Sequence, residues 1–126
     1  MDHDVPALVL FAHGARDPRW AEPFLRIAAA VRARRPHVTV ELAFLELMQP
    51  PLEETVTRLA TAGHRRVTVA PLFMAQGGHL REDLPKLIET VRQRHPEVEL
   101  RVLPAVGDVD AILDAIADWL VGAVPH

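Results

Sequence analysis

Apolar and polar positions follow two alternating periods along the 126-residue chain. Val5 to Phe11 (V-P-A-L-V-L-F) is a near-continuous apolar run, the pattern of a strand buried on both faces. From about Trp20 to Arg34, Phe24, Ile27, Ala28 and Val31 recur at helical spacing. Pro23 fits the first turn of that helix, where a missing N–H costs little, and Pro36 stops it. Val38 to Phe44 (V-T-V-E-L-A-F) predicts a second strand. Leu52, Val56, Leu59 and Ala60 stripe a second helix, opened by Pro50-Pro51 and closed by Gly63. Val67 to Phe73 is the third strand, and Leu84, Leu87, Ile88 and Val91 mark a third helix that ends before Pro96. Val98 to Leu103 is the fourth strand. The last helix carries Val109, Ile112, Leu113, Ile116 and Leu120, with Asp108 as its expected cap.

The order β-α-β-α-β-α-β-α predicts an α/β fold, a four-stranded parallel sheet with helices on both faces. Helices of this length between apolar strands make crossover connections. The length predicts one domain over residues 1–126, with its core from about 5 to 122. An apolar fraction of 49% with a net charge of −3 argues against disorder. No apolar run approaches the roughly 20 residues of a membrane helix. Met1-Asp2-His3-Asp4 lacks the basic start of a signal peptide, so the expectation is a cytoplasmic protein away from membranes. With 14 basic residues against 17 acidic ones and few aromatics, nucleic acid is not an expected partner.

Missing residue types narrow the chemistry further. The chain has no Cys, Ser, Tyr or Asn. Disulfides, zinc ribbons, iron–sulfur clusters and thiolate nucleophiles are excluded, as is a serine triad. His, Asp, Glu, Arg, one Lys and six Thr remain. Thirteen arginines against the single Lys86 are compatible with an anionic ligand, since Arg grips carboxylates in a bidentate way.

In an open parallel sheet, ligands bind beyond the carboxyl ends of the strands. That rule sorts the seven histidines. His13 follows the first strand in A-H-G-A-R-D-P, and His79 lies beyond the third in P-L-F-M-A-Q-G-G-H-L-R-E-D-L-P. Glu46 follows the second strand in A-F-L-E-L-M-Q-P. Gly14 permits a positive φ or a close backbone approach, and Gly77-Gly78 suggests a mobile or tightly turned ligand loop. Asp17-Pro18 reads as a helix-start signal. His37, His64 and His95 sit at helix ends, where a solvated or dipole-complementing role suffices. His3 and His126 are terminal and expected to be disordered. Two imidazoles and a carboxylate suit an open site for a divalent first-row metal. Neutral imidazole, with a reference pKa of about 6.5, can instead take protons from a substrate. Spacing leaves ligand and base as competing assignments for the same side chains.

At these same residues the chain resembles a known family. L-V-L-F-A-H-G-A-R-D-P, A-F-L-E-L-M-Q-P-P-L and V-A-P-L-F-M-A-Q-G-G-H-L-R-E-D-L-P are similar, in order from about residue 7 to 104, to the small class II tetrapyrrole chelatases. These are the sirohydrochlorin cobalto-, ferro- and nickel-chelatases of the CbiX/SirB group. The resemblance implies insertion of Co²⁺, Fe²⁺ or Ni²⁺ into sirohydrochlorin on the route to sirohaem or cobalamin. The metal is then a substrate, and no permanently bound cofactor is implied. His13 and His79 correspond to the family's active-site histidines, as metal ligands and proton acceptors, and Glu46 to an acidic position associated with the metal. Arg16 and Arg81, each within three residues of a site His, are candidates for the substrate carboxylates, with Gly77 and Gly78 beside them. The short length resembles the single-domain members, which form homodimers. For that contact the amphipathic last helix and the open sheet edge are candidate surfaces. Ala15 departs from the pattern, which commonly has Ser there; a hydroxyl is lost but no metal ligand.

Two other classes compete. A non-catalytic metal or tetrapyrrole carrier could use the same rim, and only turnover separates it from an enzyme. A hydrolase reading of strand–His-Gly fails for want of Ser, Cys and any G-x-S-x-G, and a dinucleotide reading for want of G-x-G-x-x-G.

Overall fold

The computed structural model describes residues 5–126, so the acidic start and His3 lie outside the described residues. Four strands form one parallel sheet in the order β2-β1-β3-β4: β1 Ala7–Ala12, β2 Thr39–Phe44, β3 Arg66–Pro71 and β4 Glu99–Val102. Helices α1 (Glu22–Arg34), α2 (Leu52–Thr61), α3 (Gly78–Arg94) and α4 (Asp110–Ala123) follow the strands in turn.

Strand alternation divides the core in two. Ala7, Val9 and Phe11 of β1 and Val67 and Val69 of β3 point to one face, where Leu52, Val56 and Leu59 of α2 and Leu84, Ile88 and Val91 of α3 cover them. On the other face Leu10 and Val40 meet Ala28 of α1, and Ala12 and Phe44 meet Ala21. Thr55 is the buried polar residue of α2, its hydroxyl donating to the Leu42 carbonyl at 3.3 Å. Both edge strands are fastened by arginines of the flanking helices: Arg32 donates to Val40 O at 2.5 Å and Arg92 to Leu100 O at 2.9 Å.

Four local expectations are corrected. α1 begins at Glu22, after a separate 3-10 turn over Pro18–Ala21 that Asp17 caps by accepting from the Arg19 N–H at 2.9 Å. α3 begins at Gly78, well before its apolar stripe, so His79 lies in a first helical turn and not on a loop. Gly77 has an ordinary φ of −70°, and a Cβ on Gly77 or Gly78 would meet nothing, so neither glycine marks a tight turn. Asp108 does not cap α4; it ends a 3-10 turn over Val106–Asp108, and Val109 stands at the cap with no side-chain bond.

Candidate active site

The strand order sets where a ligand can enter. From β1 the chain crosses to β2 on one side, and from β3 it crosses to β4 on the other. The carboxyl ends of β1 and β3 therefore flank a topological switch point, where the diverging connections leave a crevice. His13 follows β1 directly, and residues 72–77 follow β3.

Backbone pairing continues past the strand ends. The Leu45 N–H donates to Ala12 O at 2.9 Å and the Glu46 N–H to His13 O at 3.0 Å. This brings the two side chains together, His13 Nε2 lying 3.2 Å from Glu46 Oε1. Gly14 makes the approach possible, with φ at +102° and no room for a Cβ, which would fall 1.8 Å from Glu46 O. Both readings of this glycine, positive φ and close approach, hold at once. Beyond Glu46 the chain turns sharply: the Met48 N–H returns to Glu46 O at 2.8 Å, and Leu47 is held at φ +65°. A left-handed non-glycine residue costs roughly 1–2 kcal/mol and persists only where its surroundings impose it.

Phe73 completes the support. It is buried, stacks edge-on against Phe11 at 5.5 Å and meets the His13 ring edge-on at 5.9 Å. An apolar wall thus limits how the imidazole can rotate. Sequence reasoning missed Phe73, because its strand-end position is indistinguishable from core.

The remaining candidates are distributed along the same rim. Among the described residues, no three His, Asp or Glu side chains are grouped closely enough to share a metal ion. His13 and Glu46 form a pair, and His79 is exposed in the first turn of α3 without joining them. Arg81 donates from Nε to the Gln76 carbonyl at 3.2 Å, bracing the segment before α3. Arg16 is exposed, and neither arginine forms an ion pair among the described residues. His64 and His95 have structural partners: Nδ1 of His64 lies 2.7 Å from Val5 O, and Nε2 of His95 lies 2.9 Å from the Thr57 hydroxyl.

A neutral His13 that turns an Nε2–H toward Glu46 keeps its Nδ1 lone pair for a metal or a proton. The pair is half-exposed and so adds little to stability.

Known proteins share this architecture. The CbiX family model matches residues 7–122. A sirohydrochlorin cobaltochelatase of Methanococcus maripaludis is 34% identical over 82 residues, 65% of this chain and 57% of that protein. Another, from Saccharolobus solfataricus, is 28% identical over 106 residues, 79% of this chain and 81% of the relative. The chain thus spans less than two thirds of the Methanococcus relative, and 62% of a similar one from Methanocaldococcus jannaschii. Among solved structures, a CbiX protein from Marinobacter aquaeolei VT8 superposes with a TM-score of 0.80 at 33% identity, over 93% of this chain and 95% of that one. The sirohydrochlorin chelatase SirB of Bacillus subtilis, solved with cobalt, shares the fold at a TM-score of 0.76 and 20% identity. It covers 94% of this chain and half of its own. With the family match running from the first strand into the last helix, this chain belongs to the CbiX family.

Proposed function

We propose that the protein is a sirohydrochlorin metal chelatase, inserting Co²⁺, Fe²⁺ or Ni²⁺ into the tetrapyrrole for sirohaem- or cobalamin-type cofactors. The observation that carries this reading is the His13–Glu46 pair at the switch point of a CbiX-family sheet. Relatives named as sirohydrochlorin cobaltochelatases support the substrate.

Metallation exchanges a hydrated divalent ion and two pyrrole N–H protons for a metal–nitrogen complex, two protons and released water. No covalent intermediate is required, in keeping with a chain that has no Cys, Ser or Tyr. His13 offers one nitrogen to the metal or to a departing proton, while Glu46 holds the other and stabilises the charge that develops. His79 supplies the second imidazole from α3, and Glu46 can turn from orienting His13 to ligating the ion. A site with few, exchangeable ligands lets the ion pass on to the macrocycle. Arg16 and Arg81 receive substrate carboxylates, with Gly77 and Gly78 leaving open space beside them. Two copies associate, in line with a fold that matches half the length of SirB. The site of action is the cytoplasm; among the described residues no helix is long and apolar enough to cross a membrane.

Anaerobic incubation with sirohydrochlorin and each metal in turn, followed by absorbance, tests the proposal. Turnover well beyond one product per chain is expected for at least one metal. A plateau at one equivalent identifies a carrier and rejects the enzyme.

A further inference from the structure

Apart from Val5, Val124 and residues of α1 and α4, the exposed large apolar side chains among the described residues are Leu47 and Met74, at 60% and 56%. Neither enters a core cluster, although their neighbours Met48 and Phe73 pack there. A lone exposed leucine or methionine needs no explanation. These two, however, share a place. Leu47 follows Glu46, whose carboxylate meets His13, and Met74 follows Phe73, whose ring meets the same imidazole. With β1 between β2 and β3, they leave the rim on opposite sides of His13. Two strand spacings, about 10 Å, separate those exits.

Both side chains stand on backbone that is held in place. Leu47 keeps φ at +65°, in the region that favours glycine, and the Met48 N–H closes the turn onto Glu46 O at 2.8 Å. A leucine there meets backbone strain and water at once, and no burial within the chain offsets either. On the other flank, the Gly107 N–H donates to Phe73 O at 3.0 Å. Gly107 presses so close that a Cβ on it would fall 1.6 Å from Met74 O. Strained residues of this kind gather at ligand sites, where the contact they make offsets their cost. The substrate proposed above is a ring with two apolar faces and carboxylates along its edge. His13, Glu46 and His79 address its metal and protons, and Arg16 and Arg81 its edge. Its faces, the larger part of its surface, have no partner among those residues.

We propose that Leu47 and Met74 are the platform on which one face of the tetrapyrrole ring lies, one side chain on each flank of His13. Apolar contact on both flanks fixes the height and tilt of the ring, and so brings its pyrrole nitrogens over the imidazole. Contacts at the carboxylate edge alone would leave the ring free to tilt about that edge. The unbranched thioether of Met74 adapts its shape to a flat face. Covering these two side chains also removes water from beside His13. The inference rests on the chelatase reading and names residues that position its substrate.

Polar substitution at the two positions tests the platform. Leu47→Asn suits a left-handed backbone and Met74→Gln keeps the side-chain length, so both remove exposed apolar surface without touching the core. Titration of metal-free sirohydrochlorin, read by absorbance, is expected to give the double variant a Kd at least about tenfold weaker than wild type. In the steady state its KM for sirohydrochlorin should rise to match, with KM for Co²⁺ unchanged and the urea midpoint not lowered. Leu47→Met/Met74→Leu, which keeps both positions apolar, should bind as wild type does. Leu25→Gln removes an exposed apolar side chain from α1 and controls for general adhesion of the ring. An unchanged Kd in the double polar variant overturns the platform, as does an equal loss in Leu25→Gln. A wild type that binds the ring but never turns over overturns the chelatase alone, because the titration still decides the platform. A wild type that binds no sirohydrochlorin overturns both.

Discussion

Gly14 decides how closely the exits of β1 and β2 approach, and through that whether His13 and Glu46 meet. Gly14→Ala must adopt a left-handed backbone and place a methyl group onto Glu46 O, where 1.8 Å is available. The backbone alone costs roughly 1–2 kcal/mol. Urea unfolding should show at least that loss, together with loss of metallation; an unchanged midpoint contradicts the packing described. Phe73 acts on the same imidazole from its other side. Phe73→Leu keeps an apolar side chain of similar size, so a cost below about 1.5 kcal/mol is expected. Metallation should fall more than stability does, and a rate equal to wild type would remove Phe73 from the account. These two residues show what sequence can reveal at this scale. A glycine directly after a strand-end histidine announces a backbone requirement, whereas an aromatic at a strand end reads only as core.

Elements were legible where burial imposed a period and illegible where it did not. The apolar runs of the strands and the stripe of α2 reflect residues that are mostly covered, whereas in the α1 stripe Ala28 is buried and Ile27 is exposed. The first two turns of α3, G-H-L-R-E-D-L, face mostly water and carry no stripe, so the apolar period marks the helix only from Leu84. Within the legible part, Ile88→Ala removes a buried side chain that α3 sets against the sheet. Such truncations cost about 2–5 kcal/mol, which chemical denaturation can check. The 3-10 turn before α1 gives a pH-dependent case. The side chain of Arg19, and then its backbone N–H, hold the Asp17 carboxyl below the usual carboxylate range. Its folded-state pKa is depressed, so its stabilisation is present above the ordinary Asp range and is lost as pH falls through the lowered value. Asp17→Ala should therefore narrow its stability difference from wild type on acidification, as measured by denaturation across pH. A constant difference would discount the cap.

At the scale of the whole molecule, a four-stranded parallel sheet with one switch point offers one rim for chemistry, and His13 and Glu46 stand on it. The sheet was readable from alternating periods, and the rim from the rule that ligands bind beyond strand ends. The strand order β2-β1-β3-β4, which makes β1 and β3 the flanks of the crevice, is a long-range property that local pattern does not encode. Nor does it encode that no residue of α4 is buried, since an amphipathic stripe looks the same whether or not it meets a core. We propose that this rim inserts metal catalytically through His13. Steady-state Co²⁺ insertion into sirohydrochlorin, measured side by side for wild type and His13→Ala with folding checked by circular dichroism, tests it most directly. We predict many turnovers for wild type and a loss of at least about 100-fold for the variant, the scale on which positioned acid–base groups act. Equal rates, or no turnover by wild type with any of the three metals, would contradict it.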